Sequence, residues 1–271
     1  MKIRCWKIIF YEVIDGKNSK KPKKNKGVYT VLMLICIAVF LFALYKVVGI
    51  LMDYKEIDDY YNNANDDFVV RSDDGSISYV DLPALIEKNG DVKGWIYIKD
   101  TDISYPVLQG RDNQYYLFRT YEKEYLGAGS IFLEALNSGD FSDIHTIIYG
   151  HNMHNGAMFG TLDKFFKEEY RDEHPYVYVL LPDGTWNKYE IFAAYTAGIE
   201  DGTFTVFASG DANYKEYLDL INSKNTYKNT KAPENGEQIL TLSTCTEDSD
   251  DYKRNVLQAK FVGTIEDIEK E

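Results

Sequence analysis

Residues 28–45, VYTVLMLICIAVFLFALY, run for eighteen positions without a charge, and after the single Lys46 the apolar sequence resumes as VVGILM. At a rise of about 1.5 Å per residue, a helix of that length is about sufficient to cross a hydrocarbon layer of roughly 30 Å. No other feature constrains the fold so strongly, because it divides the polypeptide into a short head, a membrane helix and a large remainder that must fold by itself. Ahead of the span stand Lys2, Arg4, Lys7, Lys17, Lys20, Lys21, Lys23, Lys24 and Lys26 against Glu12 and Asp15. The positive-inside rule places that head in the cytoplasm and the remainder outside the cell. A cleaved signal peptide is the competing reading, but the span is long for one and no small-x-small cleavage site is evident after it. The expected division is therefore a basic cytoplasmic tail over 1–27, a single-pass signal-anchor over 28–52, a stalk or N-terminal helix over 53–78 and an external domain over 79–271.

Residues 1–52 hold ten Lys or Arg and two Asp or Glu, which leaves 20 basic and 41 acidic residues, net −21, for everything beyond them. Nucleic acid and anionic lipid would be repelled by such a surface, so neither is expected as a ligand. The roughly 220 external residues suffice for one sizeable core. Abundant tyrosine and β-branched residues lean that core towards β-structure.

After the span, residues 52–74 are polar and acidic with weak helical spacing. A short helix is predicted over 81–87, where Asp81 can cap it and Pro83 stands in its first turn. Eight β-like runs follow, at 94–98, 104–108, 129–133, 145–149, 176–181, 186–196, 238–244 and 255–262, with Pro182-Asp183-Gly184 as a hairpin signal. Helical spacing recurs over 157–166 and again over 211–223, where Tyr214, Tyr217, Leu218 and Ile221 fall on one face. Many short strands with turn signals between them predict a closed or partly closed β-barrel with peripheral helices.

Cys5 and Cys36 lie before or inside the apolar span, so Cys245 has no disulfide partner in the external part. It closes the run Thr241-Leu242-Ser243-Thr244-Cys245 and opens an acidic loop. A strand end holds a side chain on a rigid element while leaving it reachable, which suits a nucleophile; a buried, inert thiol is the other reading. A working thiolate wants an imidazole or a cation nearby. His151 follows the strand-like Ile147-Ile148-Tyr149-Gly150 and is the first candidate, with His154 its rival; His145 begins that strand and His174 precedes a proline. Arg254 starts the next strand, so a return hairpin would bring it beside Cys245, where a guanidinium can donate to an oxyanion or a carbonyl. Its alternative is pairing with Glu247, Asp248, Asp250 or Asp251 on the surface. Neither a CxxC pair, an HExxH motif nor a phosphate-binding glycine loop is present, so no metal and no cofactor are expected.

Together IIYGHNMHNGAMFGTL around His151 and ILTLSTCTEDSDDYKRNVLQAKFV around Cys245 and Arg254 resemble the sortases, and more narrowly class B sortases of the Gram-positive cell surface. The likeness covers residues 82–271. It implies an eight-stranded barrel decorated with helices, the helix over 211–223 being the insert that marks class B. It also implies cleavage of a C-terminal sorting signal of secreted proteins after a threonine, the signal being NPxTx-like, and transfer of the acyl group to a peptidoglycan or pilin amine. Carried onto this chain, Cys245 is the nucleophile, His151 the acid and base, and Arg254 the substrate and oxyanion clamp. Asn113, Leu117, Tyr149 and Ser243 match pocket residues of the class. Thr246 stands where an acidic residue is often found, and its backbone N–H is left as a possible oxyanion donor. A thiol peptidase resolved by water, and a surface binding module with an incidental cysteine, remain alternatives at this point.

Overall fold

The computed structural model describes residues 26–73, 75–210, 212–245 and 252–270, with Lys26, Ala212 and Cys245 described by backbone alone. Two compact units divide between Gly49 and Ile50. The first holds the start of helix α1 (Lys26–Phe68), whose side chains over residues 28–48 are exposed and, apart from Thr30 and Lys46, apolar; α1 is long and apolar enough there to cross a membrane.

In the second unit, the end of α1 is amphipathic. Ile57, Tyr61, Ala64 and Phe68 fall at spacings of four, three and four and are buried against the rest of the unit. The weak helical spacing read over this segment arises because its buried stripe is built from two aromatics, one alanine and one isoleucine within an otherwise acidic sequence. A two-stranded antiparallel ribbon follows, β1 (Val69–Arg71) and β2 (Ile77–Val80). Helix α2 (Leu82–Lys88) is capped by Asp81, whose carboxylate accepts from the Ala84 N–H at 3.1 Å.

Eight further strands close a barrel: β3 (Val92–Tyr97), β4 (Ser104–Leu108), β5 (Ile131–Leu133), β6 (His145–Tyr149), β7 (Tyr176–Leu180), β8 (Trp186–Gly198), β9 (Ile239–Cys245) and β10 (Lys253–Ile265). Their order around the barrel is β10-β8-β7-β3-β4-β5-β6-β9, closed by β9 against β10. Strand β4 runs parallel to β5 and β6 parallel to β9, and the remaining pairs are antiparallel. The turn between β7 and β8 is the expected hairpin, with Gly184 at φ +89°.

Ile96, Val107, Ile131, Ile148, Leu240, Leu242 and Leu257 belong to the main core, while Trp95 and Tyr97, on the other face of β3, pack in a second cluster with Leu82 and Leu85 of α2. Strands covered on both faces read as almost continuous apolar runs, which is why the sequence shows little alternation. A third cluster seats helix α4 (Ala212–Lys224) through Tyr214, Tyr217, Leu218 and Ile221 against Phe192 and Tyr195 of β8 and Val256 of β10.

One expected helix is shorter than its spacing suggests. Over residues 157–166 only Leu162–Phe166 is helical, as a 3₁₀ turn, followed by α3 (Glu168–Glu173). Met158 has φ +57° and bridges back to Asn152, and a helix cannot contain either feature.

Candidate active site

Parallel pairing of β6 with β9 and antiparallel pairing of β9 with β10 bring three strand ends to one rim of the barrel. Tyr149 is in register with Ser243, and Cys245 with Arg254. The ladder continues one residue beyond β6, where the Gly150 N–H donates to the Ser243 carbonyl at 3.1 Å. A Cβ on Gly150 would stand 2.4 Å from Ile131 Cδ1 and 2.8 Å from the Phe159 ring, so only glycine lets the backbone pass this closely. The chain then turns outward, the Phe159 N–H donating to the His151 carbonyl at 3.0 Å.

His151 is half-buried, and its Nε2 lies 2.8 Å from the Leu117 carbonyl oxygen. A carbonyl only accepts, so Nε2 carries the proton and Nδ1 is left to exchange one. The Phe118 ring stands beside the imidazole, 5.7 Å between centres. Burial pushes the imidazole below its ordinary pKa, and the Leu117 carbonyl opposes that by favouring the charged ring.

A cleft of ≈ 290 Å³ opens here, lined by Asn113, Leu117, Phe132, Tyr149, Gly150, His151, Ser243, Thr244 and Arg254. Six of the residues singled out in the sequence thus share one cavity. Cys245 follows Thr244 directly at the end of β9. Thr246 lies outside the described residues, as do the acidic positions 247, 248, 250 and 251 considered as partners for Arg254. Arg254 is half-buried and its Nη1 donates to the Lys253 carbonyl at 2.7 Å. His154 is exposed in the turn after His151, and His174 is engaged elsewhere, its Nδ1 bonded to the Lys99 carbonyl at 3.0 Å.

Behind the cleft stands a residue that the sequence reading did not single out. Glu134, at the end of β5 and 7% exposed, accepts from Asn113 Nδ2 at 2.6 Å, from the Tyr149 hydroxyl at 3.0 Å and from the Leu136 N–H at 3.2 Å. Asn113 Oδ1 accepts in turn from the Ala135 N–H at 2.8 Å. Asn113 is therefore held as a wall of the cleft, with one N–H to spare among the described residues. The Tyr149 phenol is pushed well above its ordinary pKa by burial and then by the Glu134 charge, with the Arg254 guanidinium opposing. A single acid closing the apolar run Ile131-Phe132-Leu133 was the available signal for Glu134. Phe118, Phe132 and Thr244 were likewise missed.

The hydroxyls of Ser243 and Thr244 are buried at 1% and 3% residue exposure and have no hydrogen-bond partner among the described residues. Among the described residues no group of three His, Cys, Asp or Glu side chains is placed to hold a metal ion.

The Sortase domain model matches residues 96–262. Sortase B of Listeria monocytogenes is 34% identical over 236 residues, 85% of this chain and 95% of that protein, and Sortase B of Staphylococcus aureus is 27% identical over 243 residues, 88% and 98%. Among solved structures, sortase B of Bacillus anthracis aligns with a TM-score of 0.66 at 34% identity, covering 78% of this chain and 99% of that one. Sortase B of Clostridium perfringens aligns with a TM-score of 0.62 at 32% identity, covering 67% and 100%. With the closed eight-stranded barrel in place and the likeness extending over most of its length, the chain belongs to the sortases, the family of cysteine transpeptidases, and within them to class B.

Proposed function

We propose that this sortase is a single-pass membrane enzyme in which Cys245 is the nucleophile, His151 the acid and base, and Arg254 the clamp for the substrate carbonyl and the developing oxyanion. The observation that carries this reading is the register of the strand ends: Cys245 opposite Arg254, Ser243 beside Tyr149, and His151 two residues further on. The Cys245 thiolate attacks the carbonyl carbon of the threonine in a sorting signal. The C–N bond breaks as the His151 imidazolium gives its proton to the departing amine, and a thioester remains. An incoming amine then attacks that thioester and loses a proton to His151, and the C–S bond breaks to restore the thiolate.

Asn113, Leu117, Tyr149 and Ser243 form the walls for the signal, with the Thr246 N–H as an oxyanion donor. The common lining of one cleft by Asn113, Leu117, Tyr149 and Ser243 supports this reading. The substrate is a secreted protein with an NPxTx-like C-terminal signal, and the acceptor is a peptidoglycan-precursor or pilin amine. The sortase B of Staphylococcus aureus has been solved with a substrate, and a sortase B has been solved with triglycine, which favours a peptide amine here too. The anchor is residues 28–52, with the basic tail 1–27 in the cytoplasm, 53–78 leading from the membrane and 79–271 as the extracellular catalytic domain. No cofactor enters any step.

The test is product analysis with an NPxTx peptide, with and without triglycine. An amide-ligated product that grows with triglycine concentration is expected. Free acid that persists in abundant amine would point instead to hydrolysis, and failure to cleave any peptide in a panel of NPxTx and LPxTG signals would overturn the assignment. Arg254→Lys keeps the charge but loses the planar fork, so kcat/KM is expected to fall by about tenfold, measured with the same peptide.

A further inference from the structure

The surroundings of the His151 ring lead to one hairpin. Leu117 supplies the carbonyl bonded to Nε2 and Phe118 the neighbouring ring. The hairpin continues through an Arg119–Tyr125 bridge and returns at Gly129 directly against Leu117. Gly129 has φ +54°, and a Cβ there would stand 2.2 Å from the Leu117 oxygen and 2.5 Å from its carbonyl carbon. The two residues touch backbone to backbone, so the place of the Leu117 carbonyl depends on the place of Gly129. Ser130 ties the arms together, its N–H donating to the Tyr116 carbonyl at 3.0 Å and its hydroxyl to the Arg119 carbonyl at 2.7 Å.

Gly129 is in turn held by α1. The Tyr61 hydroxyl donates to the Gly129 carbonyl, and the buried Tyr61 ring is fixed edge-on between Tyr60 and Tyr105, at 5.1 and 5.5 Å between centres. A contact chain thus runs from α1 through Tyr61, Gly129 and the Leu117 carbonyl to His151 Nε2.

We propose that Tyr61 and Gly129 are positioning residues for His151, through which helix α1 sets the orientation of the acid–base group. The inference rests on His151 being that group. An imidazole whose Nε2–H is pinned to a carbonyl presents Nδ1 in one direction, and a carbonyl at that distance favours the protonated ring. Loosening Gly129 lets the carbonyl drift, so the ring loses both its aim and part of the support for its charge.

The experiment uses the full-length chain in detergent micelles, with Tyr61→Phe and Gly129→Ala, and measures kcat, KM and the pH dependence of kcat/KM on an NPxTx peptide. Tyr61→Phe retains the ring and its packing and removes only the hydroxyl. A fall in kcat of roughly threefold to tenfold is expected for it, and a larger fall for Gly129→Ala, with KM within about twofold of the parent. The acid limb should move to lower pH in both, because the imidazolium is less well supported. A change in thermal stability alone would leave that limb in place. An unmoved acid limb, with kcat either unchanged or reduced only in step with Tm, overturns the inference. Should Gly129→Ala fail to fold, Tyr61→Phe decides alone. His151→Ala separates the two levels. If it keeps near-parental activity, the acid–base assignment fails and the positioning role with it; if it is inactive while Tyr61→Phe leaves the limb unmoved, the positioning role alone fails.

Discussion

Alanine at Cys245 or at His151 is expected to lower kcat/KM for a sorting peptide by about 10³- to 10⁴-fold, and the double replacement to cost little more than either. The non-additivity is the informative part. A thiolate without a proton donor for the departing amine forms a tetrahedral adduct that reverts, and an imidazole without a nucleophile has nothing to serve. The pH profile adds a second check. Burial holds the His151 pKa below its ordinary value of about 6.5, so the acid limb of kcat/KM should lie below that pH. The protonated ring is then scarce at neutrality. His151→Ala should abolish that limb in whatever activity remains. Activity within tenfold of the parent in either single variant would remove that residue from the chemistry.

The strand ends of the cleft could be read from local signals because each lies beside a change of sequence character. His151 follows an apolar run and a glycine, and the Cys245–Arg254 pairing follows from a strand, a polar loop and a returning strand, whose register the structure closes at that pair. The barrel was legible for the same reason, since turn residues separate its runs. What could not be read required convergence in space. Glu134 gains its place only because Asn113 arrives from a loop twenty-one residues earlier and Tyr149 from the next strand. Phe118 acquires meaning once Leu117 is seen against His151. The buried face of α1 was obscured by its composition, because tyrosine is equally at home on a surface.

His145 is the clearest case of a residue whose role is set by surroundings that no local pattern displays, and it carries the remaining large prediction. Acidification from pH 6.5 to about 4 is expected to remove about 3 kcal/mol of folding stability through this side chain. The ring is fully buried; Nδ1 donates to the Thr205 carbonyl at 2.6 Å, and Nε2 faces the hydroxyls of Thr241 at 2.8 Å and Tyr217 at 3.0 Å. Gln258 Nε2 donates to the same two hydroxyl oxygens at 3.0 and 2.9 Å, which leaves one hydroxyl hydrogen to point at the imidazole and the other to join the two hydroxyls. Nε2 is therefore an acceptor with no room for a proton. Burial pushes the pKa down to about 4, against the opposing pull of the Thr205 carbonyl and the Asp143 charge. An unfolded histidine takes up its proton near pH 6.5, so between about 4 and 6.5 the unfolded chain binds a proton that the folded one refuses. Stability from this group is complete above that window and is lost as pH falls through it. Depressed carboxylates such as Asp91 and Asp201 begin to lose their contributions from about pH 5 downward, but they do so equally in the parent and in a His145 variant, so the difference between the two slopes isolates His145. His151 shifts in the same direction and adds to the slope. Denaturant unfolding at several pH values should show the loss in the parent, and His145→Gln should be less stable at neutral pH yet lose most of the slope. An unchanged slope in that variant would sink the assignment. Tyr217 belongs to α4 and Thr241 to β9, four residues before Cys245, so a proton forced onto His145 would separate α4 from the strand that ends at Cys245.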